Sequence, residues 1–142
     1  MAADCISIIY NQNQQLTDWV CRGLNIDTSW LNRYMTLGVQ YHGKTIAALI
    51  YHDIKPTQEL SWTIYSTDKH WCTKKVIKEF MRIAFEVFKC RRINLLVTVN
   101  NTTCLNFVSR LGFQIEGRLR EYREDGQDCY ILSLLKSENK YK

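Results

Sequence analysis

Apolar and polar positions change period several times along the chain, and each change marks an element. Ile6 to Tyr10 is a short apolar run of strand character; after a polar Asn/Gln stretch, Leu16, Trp19, Val20 and Leu24 recur at helical spacing. A short helix is expected over Thr28 to Tyr34. The runs Thr36 to Tyr41 and Lys44 to Tyr51, joined by His42-Gly43, read as an antiparallel hairpin. Pro56 ends that segment, and the alternation of Glu59 to Ser66 adds a further strand to the meander.

From Thr73 to Lys89 the pattern becomes helical. Val76, Ile77, Phe80, Ala84, Val87 and Phe88 form one face, and Lys74, Lys75, Lys78, Glu79, Arg82, Glu86 and Lys89 the other. Ile93 to Val99 is almost continuously apolar, as expected of a central strand covered on both sides. Strand, helix and strand in that order form a right-handed crossover, so the flanking strands should be parallel neighbours. Thr102 or Thr103 is placed to cap a further helix carrying Cys104, Leu105, Phe107, Val108 and Leu111, which stops at Gly112. Gln114 to Arg123 and Asp128 to Leu135 flank Asp125-Gly126 as a closing hairpin, and the charged tail from Lys136 is expected to fray. The pattern predicts one α/β domain spanning residues 1–142. Its sheet is mixed but mostly antiparallel, and helices lie on both faces.

Composition narrows the class. With 142 residues and 46% hydrophobic content, the chain can bury roughly 70% of its unfolded surface and needs no disulfide or metal to hold a core. No window approaches 18 apolar residues and the first ten have no basic leader segment, so an intracellular protein without a membrane partner is expected. The six cysteines form no CxxC, which suits reduced thiols. A net charge of +5 fits a phosphate-bearing ligand; nucleic acid, bound through the basic turn at Lys69 to Lys75, is the least favoured partner.

One long stretch carries a family likeness. Asn101-Thr-Thr-Cys-Leu-Asn-Phe-Val-Ser-Arg-Leu-Gly-Phe113, then Ile115-Glu-Gly-Arg-Leu-Arg120 and Asp128, resembles the closing motif of the GNAT acyltransferase superfamily, in its ribosomal-protein N-terminal acetyltransferase branch. Ala84-Phe85-Glu86 lies at the matching distance before it, and the resemblance spans roughly residues 36 to 135. Ala48-Leu-Ile-Tyr-His-Asp53, the following Pro56 and Trp71 further resemble small GNAT-like proteins of tailed bacteriophages. The resemblance implies a GNAT-like sheet splayed between its fourth and fifth strands, acetyl-CoA as co-substrate, an unidentified amine acceptor and a monomer or homodimer. It also implies a phage-encoded protein of the bacterial cytoplasm. The alternative is an inactive scaffold serving as a virion component or host-binding module.

Acetyl transfer to an amine needs a pyrophosphate cradle, a proton acceptor for the amine and a route for the thiolate to leave. By the resemblance, the cradle is the loop and helix start at Lys69, Trp71, Cys72, Thr73, Lys74 and Lys75. The family's cation and two small residues fall on Asp68, Trp71 and Thr73, none of which matches, so bound phosphates must lean on lysine charge. Tyr65 and Ser66 are implied backbone contacts to the pantetheine arm. Asn101, Asn106 and Arg110 are implied neighbours of the arm and its adenosine end. The family's acid tyrosine falls on Val108. Glu59 is the candidate base, Tyr51 and His52 are further candidates, and Tyr122 or Tyr130 can donate a proton. Trp62 and Trp71 are read either as an aromatic wall or as core. The sequence shows no Ser/His/Asp triad, P-loop or metal-ligand cluster.

Overall fold

The computed structural model describes residues 5–142. Met1 to Asp4, the start of the stretch read for a leader, lie outside the described residues. The elements are β1 (Ile6–Ile9), α1 (Asn13–Leu24), β2 (Met35–Tyr41), β3 (Lys44–Lys55), β4 (Glu59–Ser66), α2 (Lys74–Arg82), β5 (Arg92–Thr98), α3 (Thr102–Leu111), β6 (Gln114–Leu119) and β7 (Cys129–Leu135). They form one seven-stranded sheet in the order β1-β2-β3-β4-β5-β7-β6, with only the β4–β5 pair parallel. Leu16, Val20 and Cys21 of α1 bury against Ala48 and Ile50 on one face. On the other, Phe80 and Met81 of α2 and Val108 and Leu111 of α3 join Leu37, Leu49, Leu60 and Ile93. No helix is long and apolar enough to cross a membrane.

Several expectations hold in detail. His42 and Gly43 both take positive φ, 53° and 78°, as the tight β2–β3 turn requires. Gly112 ends α3 at φ 108°, and the amide of Phe113 closes the cap on the Val108 carbonyl.

Others need correction. Residues 25–34 form turns instead of a helix: Asp27 accepts from the Ser29 amide and hydroxyl, and Leu31 and Tyr34 pack on the α1 cluster. Side-chain capping of the backbone thus competes with helix in a segment too short to propagate one. The long helix is α-helical only to Arg82; Ile83–Val87 is a π-turn. Its extra residue per turn rotates Val87 off the apolar face, leaving it 52% exposed. Asn101, not a threonine, caps α3, its Oδ1 accepting from the Cys104 amide. The last hairpin has shorter arms than expected because Asp128 accepts from Arg118 Nε and the Glu121 amide, which holds residues 120–128 as a loop. The tail is docked: the Lys136 amide donates to the Arg91 carbonyl, Glu138 accepts from Gln114, and Tyr141 packs on the core.

Candidate functional site

β4 and β5 pair over only three positions, Glu59↔Arg92, Leu60↔Ile93 and Ser61↔Asn94. Beyond them the strands part. β4 stays paired to β3 as far as Ser66↔Ala47, and β5 to β7 as far as Thr98↔Cys129. The inner edges of Trp62–Ser66 and Leu95–Thr98 therefore keep backbone groups unpaired across a V-shaped opening. Such groups require partners, and an extended amide-bearing chain supplies them. At the apex stands Trp62, 3% exposed, whose indole N–H has no hydrogen-bond partner.

At the open end, the chain after β4 makes a single 3-10 turn, Lys69–Trp71, before α2. Asp68 caps this turn, accepting from the His70 amide at 2.9 Å and from His70 Nδ1 at 2.6 Å, and the His70 ring stacks on Tyr41 at 4.7 Å. The His70 amide and ring hold the Asp68 carboxyl below its ordinary value. Its negative charge is thus committed to the loop itself. The Cys72 and Thr73 amides, expected to face phosphate, donate instead to the Lys69 and Trp71 carbonyls. Thr73 caps α2 through the Val76 amide, and the Ile77 amide returns to the Thr73 carbonyl. The amides of Lys74 and Lys75, first in the helix, remain outside its ladder. Lys69, Lys74, Lys75 and Arg110 enter no ion pair among the described residues. Arg110 lies near enough to Cys72 to act on its thiol, pulling against the rise that burial causes.

The pantetheine arm and pyrophosphate of acetyl-CoA fit these residues. The parted edges would pair with the arm's amides, and the open amides of Lys74 and Lys75, with the side chains of Lys69, Lys74, Lys75 and Arg110, would hold the phosphates.

The remaining candidates fall in different places. Asn101 spends its side-chain oxygen on the α3 cap, while Asn106 is exposed on that helix. The Tyr65 ring lies edge-on to Trp19 at 5.2 Å, on the α1 face. Ser66 is exposed at the end of β4. Trp71 is core, packed against Phe80 and Phe107, so with Trp62 buried as well the aromatic wall is not formed. Glu59 sits at the closed end of the opening, accepting from Asn94 Nδ2 at 3.1 Å and Thr57 Oγ1 at 3.3 Å. Tyr122 is half-exposed in the β6–β7 loop, where the Arg123 guanidinium lies 5.6 Å from its ring and Arg123 Nε donates to Thr98 Oγ1. Val108, at the position of the family's tyrosine, is buried.

Tyr51 is fully buried, and its hydroxyl donates to the Phe80 carbonyl at 2.8 Å. Burial pushes its phenol well above the ordinary value, which removes it as an acid or base near neutrality. His52 differs: its Nε2 is 2.8 Å from Thr63 Oγ1 and its Nδ1 3.0 Å from Asp53 Oδ2. This chain of groups was not visible as a motif. Only the β3–β4 register, with Ile50↔Thr63 and His52↔Ser61, makes Thr63 the diagonal neighbour of His52. A separate concavity of about 740 Å3 lies by the closed end, bordered by Gln58, Phe85, Arg91, Arg92 and Lys136.

Residues 24–131 match the family model of the acetyltransferase (GNAT) domain. The chain belongs to the GNAT acetyltransferase family. Members of this family use acetyl-CoA as co-substrate. A probable spermine N(1)-acetyltransferase of Bacillus subtilis subsp. natto is 27% identical over 103 residues, covering 66% of this chain and 68% of that protein. An N-alpha-acetyltransferase of Sulfurisphaera tokodaii is 31% identical over 58 residues, or 41% of this chain and 35% of that one. Among solved structures, the spermidine N-acetyltransferase of Vibrio cholerae in complex with CoA and spermine superposes with a TM-score of 0.74 at 15% identity, covering 95% of this chain and 98% of that one. A dodecameric structure of the Vibrio enzyme gives 0.77 at 16% identity, covering 94% and 95%.

Proposed function

We propose that this protein transfers the acetyl group of acetyl-CoA to a primary amine by direct attack within a ternary complex. The observation that carries this reading is the parting of β4 from β5 beyond Ser61 and Asn94, in line with the open amides at the start of α2. The acceptor class to test first is a small polyamine, because a relative and a structural neighbour are named for spermine and spermidine. A protein N-terminus and a lysine are the other arms. Titration calorimetry with acetyl-CoA, followed by mass spectrometry of spermine, spermidine and a short peptide, tests it. Expected are binding and a 42-dalton gain on one amine, the mass of an acetyl group replacing a hydrogen, roughly the change that acetylation of any amine makes. Absence of binding at millimolar acetyl-CoA overturns it.

The glycine-free loop and Val108 favour a second reading, an inactive GNAT scaffold of phage origin serving in a virion or in host binding. That reading predicts no thermal shift with acetyl-CoA, whereas ligand at about 100 times its dissociation constant adds about 2.7 kcal/mol. Both readings take the chain as a monomer or homodimer, the active one working in a bacterial cytoplasm.

A further inference from the structure

Adjacent side chains on a regular strand point to opposite faces, so His52 and Asp53 should not meet. They meet because β3 is irregular here: its register to β4 shifts between His52 and Lys55, and Asp53 takes a left-handed φ of 49°. Asp tolerates that conformation better than most residues, yet it still costs free energy that the local contacts must offset. The irregularity swings the carboxylate onto the ring of its own neighbour. His52 is 8% exposed, and the edge of Trp30, from the loop between α1 and β2, covers it at a centroid distance of 4.8 Å. Its second ring nitrogen reaches Thr63, which lies on β4 beyond the last β4–β5 pair. Thr63 shares a face with Tyr65, two residues on, which packs on α1. Thr63, half-buried, therefore stands on the α1-side face of β4 beside the opening, its hydroxyl turned to a buried imidazole with a carboxylate behind it.

We propose that Thr63, His52 and Asp53 form a proton relay that takes the proton from the acceptor amine, an inference that rests on the acetyltransferase reading above. In the balanced step the acceptor enters as its ammonium ion, and one of its three nitrogen protons passes to Thr63 Oγ1 as the Thr63 hydroxyl proton passes to His52 Nε2. The free amine nitrogen then forms its bond to the acetyl carbon, and the carbon–sulfur bond breaks. A second nitrogen proton neutralises the departing thiolate, and the third stays as the amide N–H. The imidazolium donates through Nδ1 to Asp53 until its extra proton returns to solvent.

The protonation state suits the role. Burial holds the imidazole below its ordinary value against the pull of Asp53 and the Trp62 backbone, so the ring is neutral and can accept at pH 7. The groups facing it are Asp53 from β3, the Trp62 backbone and Thr63 hydroxyl from β4, and the Trp30 ring from the α1–β2 loop; Asp53 is the charged one.

The test uses His52→Gln, Asp53→Asn and Thr63→Val in the full chain, with spermine as the amine probe. Two readouts need no turnover. Acetyl-CoA affinity by calorimetry should stay within about twofold of the parent in all three, which also reports that each variant is folded. Proton-detected NMR of the three histidines, with the His52 resonance assigned by its loss in His52→Gln, should show the His52 pKa falling by roughly half a unit or more in Asp53→Asn. In kinetics, His52→Gln should lower kcat by about 100-fold or more and abolish the acid limb of the pH profile. The same limb should move to lower pH in Asp53→Asn by the NMR shift, and Thr63→Val should lower kcat by roughly tenfold or more. A His52→Gln enzyme that keeps kcat within about threefold, or keeps its acid limb, overturns the relay and leaves the acetyltransferase reading standing. An unmoved NMR pKa in Asp53→Asn overturns Asp53's part. A parent that neither binds acetyl-CoA nor acetylates an amine overturns both readings together.

Discussion

Tyr51→Phe separates a structural tyrosine from a chemical one. Tyr51 stands beside His52, and its hydroxyl makes one bond, to the Phe80 carbonyl, close to where α2 gives way to the π-turn. The phenylalanine ring fills the same space against Trp62 and Phe88, so only the hydrogen bond is lost. A buried bond of this kind contributes about 0.5–1.5 kcal/mol net, and an acceptor stranded away from water raises the cost toward about 2. For a domain of this length that lowers Tm by roughly 2–7 °C. Acetyl-CoA affinity and kcat should not change. The alkaline limb supplies a signed check. Unfolded tyrosine ionises near pH 10 and the buried Tyr51 only well above it, so its stabilising share is full below pH 10 and is lost as pH rises beyond. Tyr10, pushed up to about 12 by partial burial and by its hydrogen bond to Glu79, contributes the same trend in parent and variant. Thermal melts by circular dichroism at pH 7 and between pH 10 and 11.5 should therefore converge as pH rises. An unchanged Tm at pH 7, or a fall in kcat with Tm intact, refutes the argument.

Two further outcomes are expected. Lys74→Ala combined with Lys75→Ala should weaken acetyl-CoA by roughly tenfold or more in low salt, and calorimetry at rising ionic strength should show the difference shrinking, because both side chains are exposed and screened. Gly23→Ala gains about 1 kcal/mol of helix propensity but sets a Cβ 2.3 Å from a carbon of the Tyr65 ring, so crowding should outweigh the gain and lower Tm; a raised Tm would show that Tyr65 moves freely.

What the sequence made legible is what repeats with a period. Alternation over Glu59 to Ser66 and the three-four spacing from Val76 to Phe80 are local, and they name strand and helix because the buried face repeats within one element. The His42-Gly43 turn and the Gly112 stop were readable because few residues accept positive φ. The π-turn was not readable, since helical spacing to Ala84 looks the same whether or not the next turn holds an extra residue. At the site, the family motif located the opening and the α2 start, but it named positions and not partners. Asp68 reads as a misplaced charge until its bonds to His70 are seen, and Trp71 as a ligand wall until Phe80 and Phe107 close around it. His52-Asp53 is the sharpest case, because strand geometry argues against their contact and only the β3 irregularity reverses it. A local departure from the period thus places a carboxylate, an imidazole and a hydroxyl in one line at the edge of the opening. That departure is where a reading built on periodicity has least power.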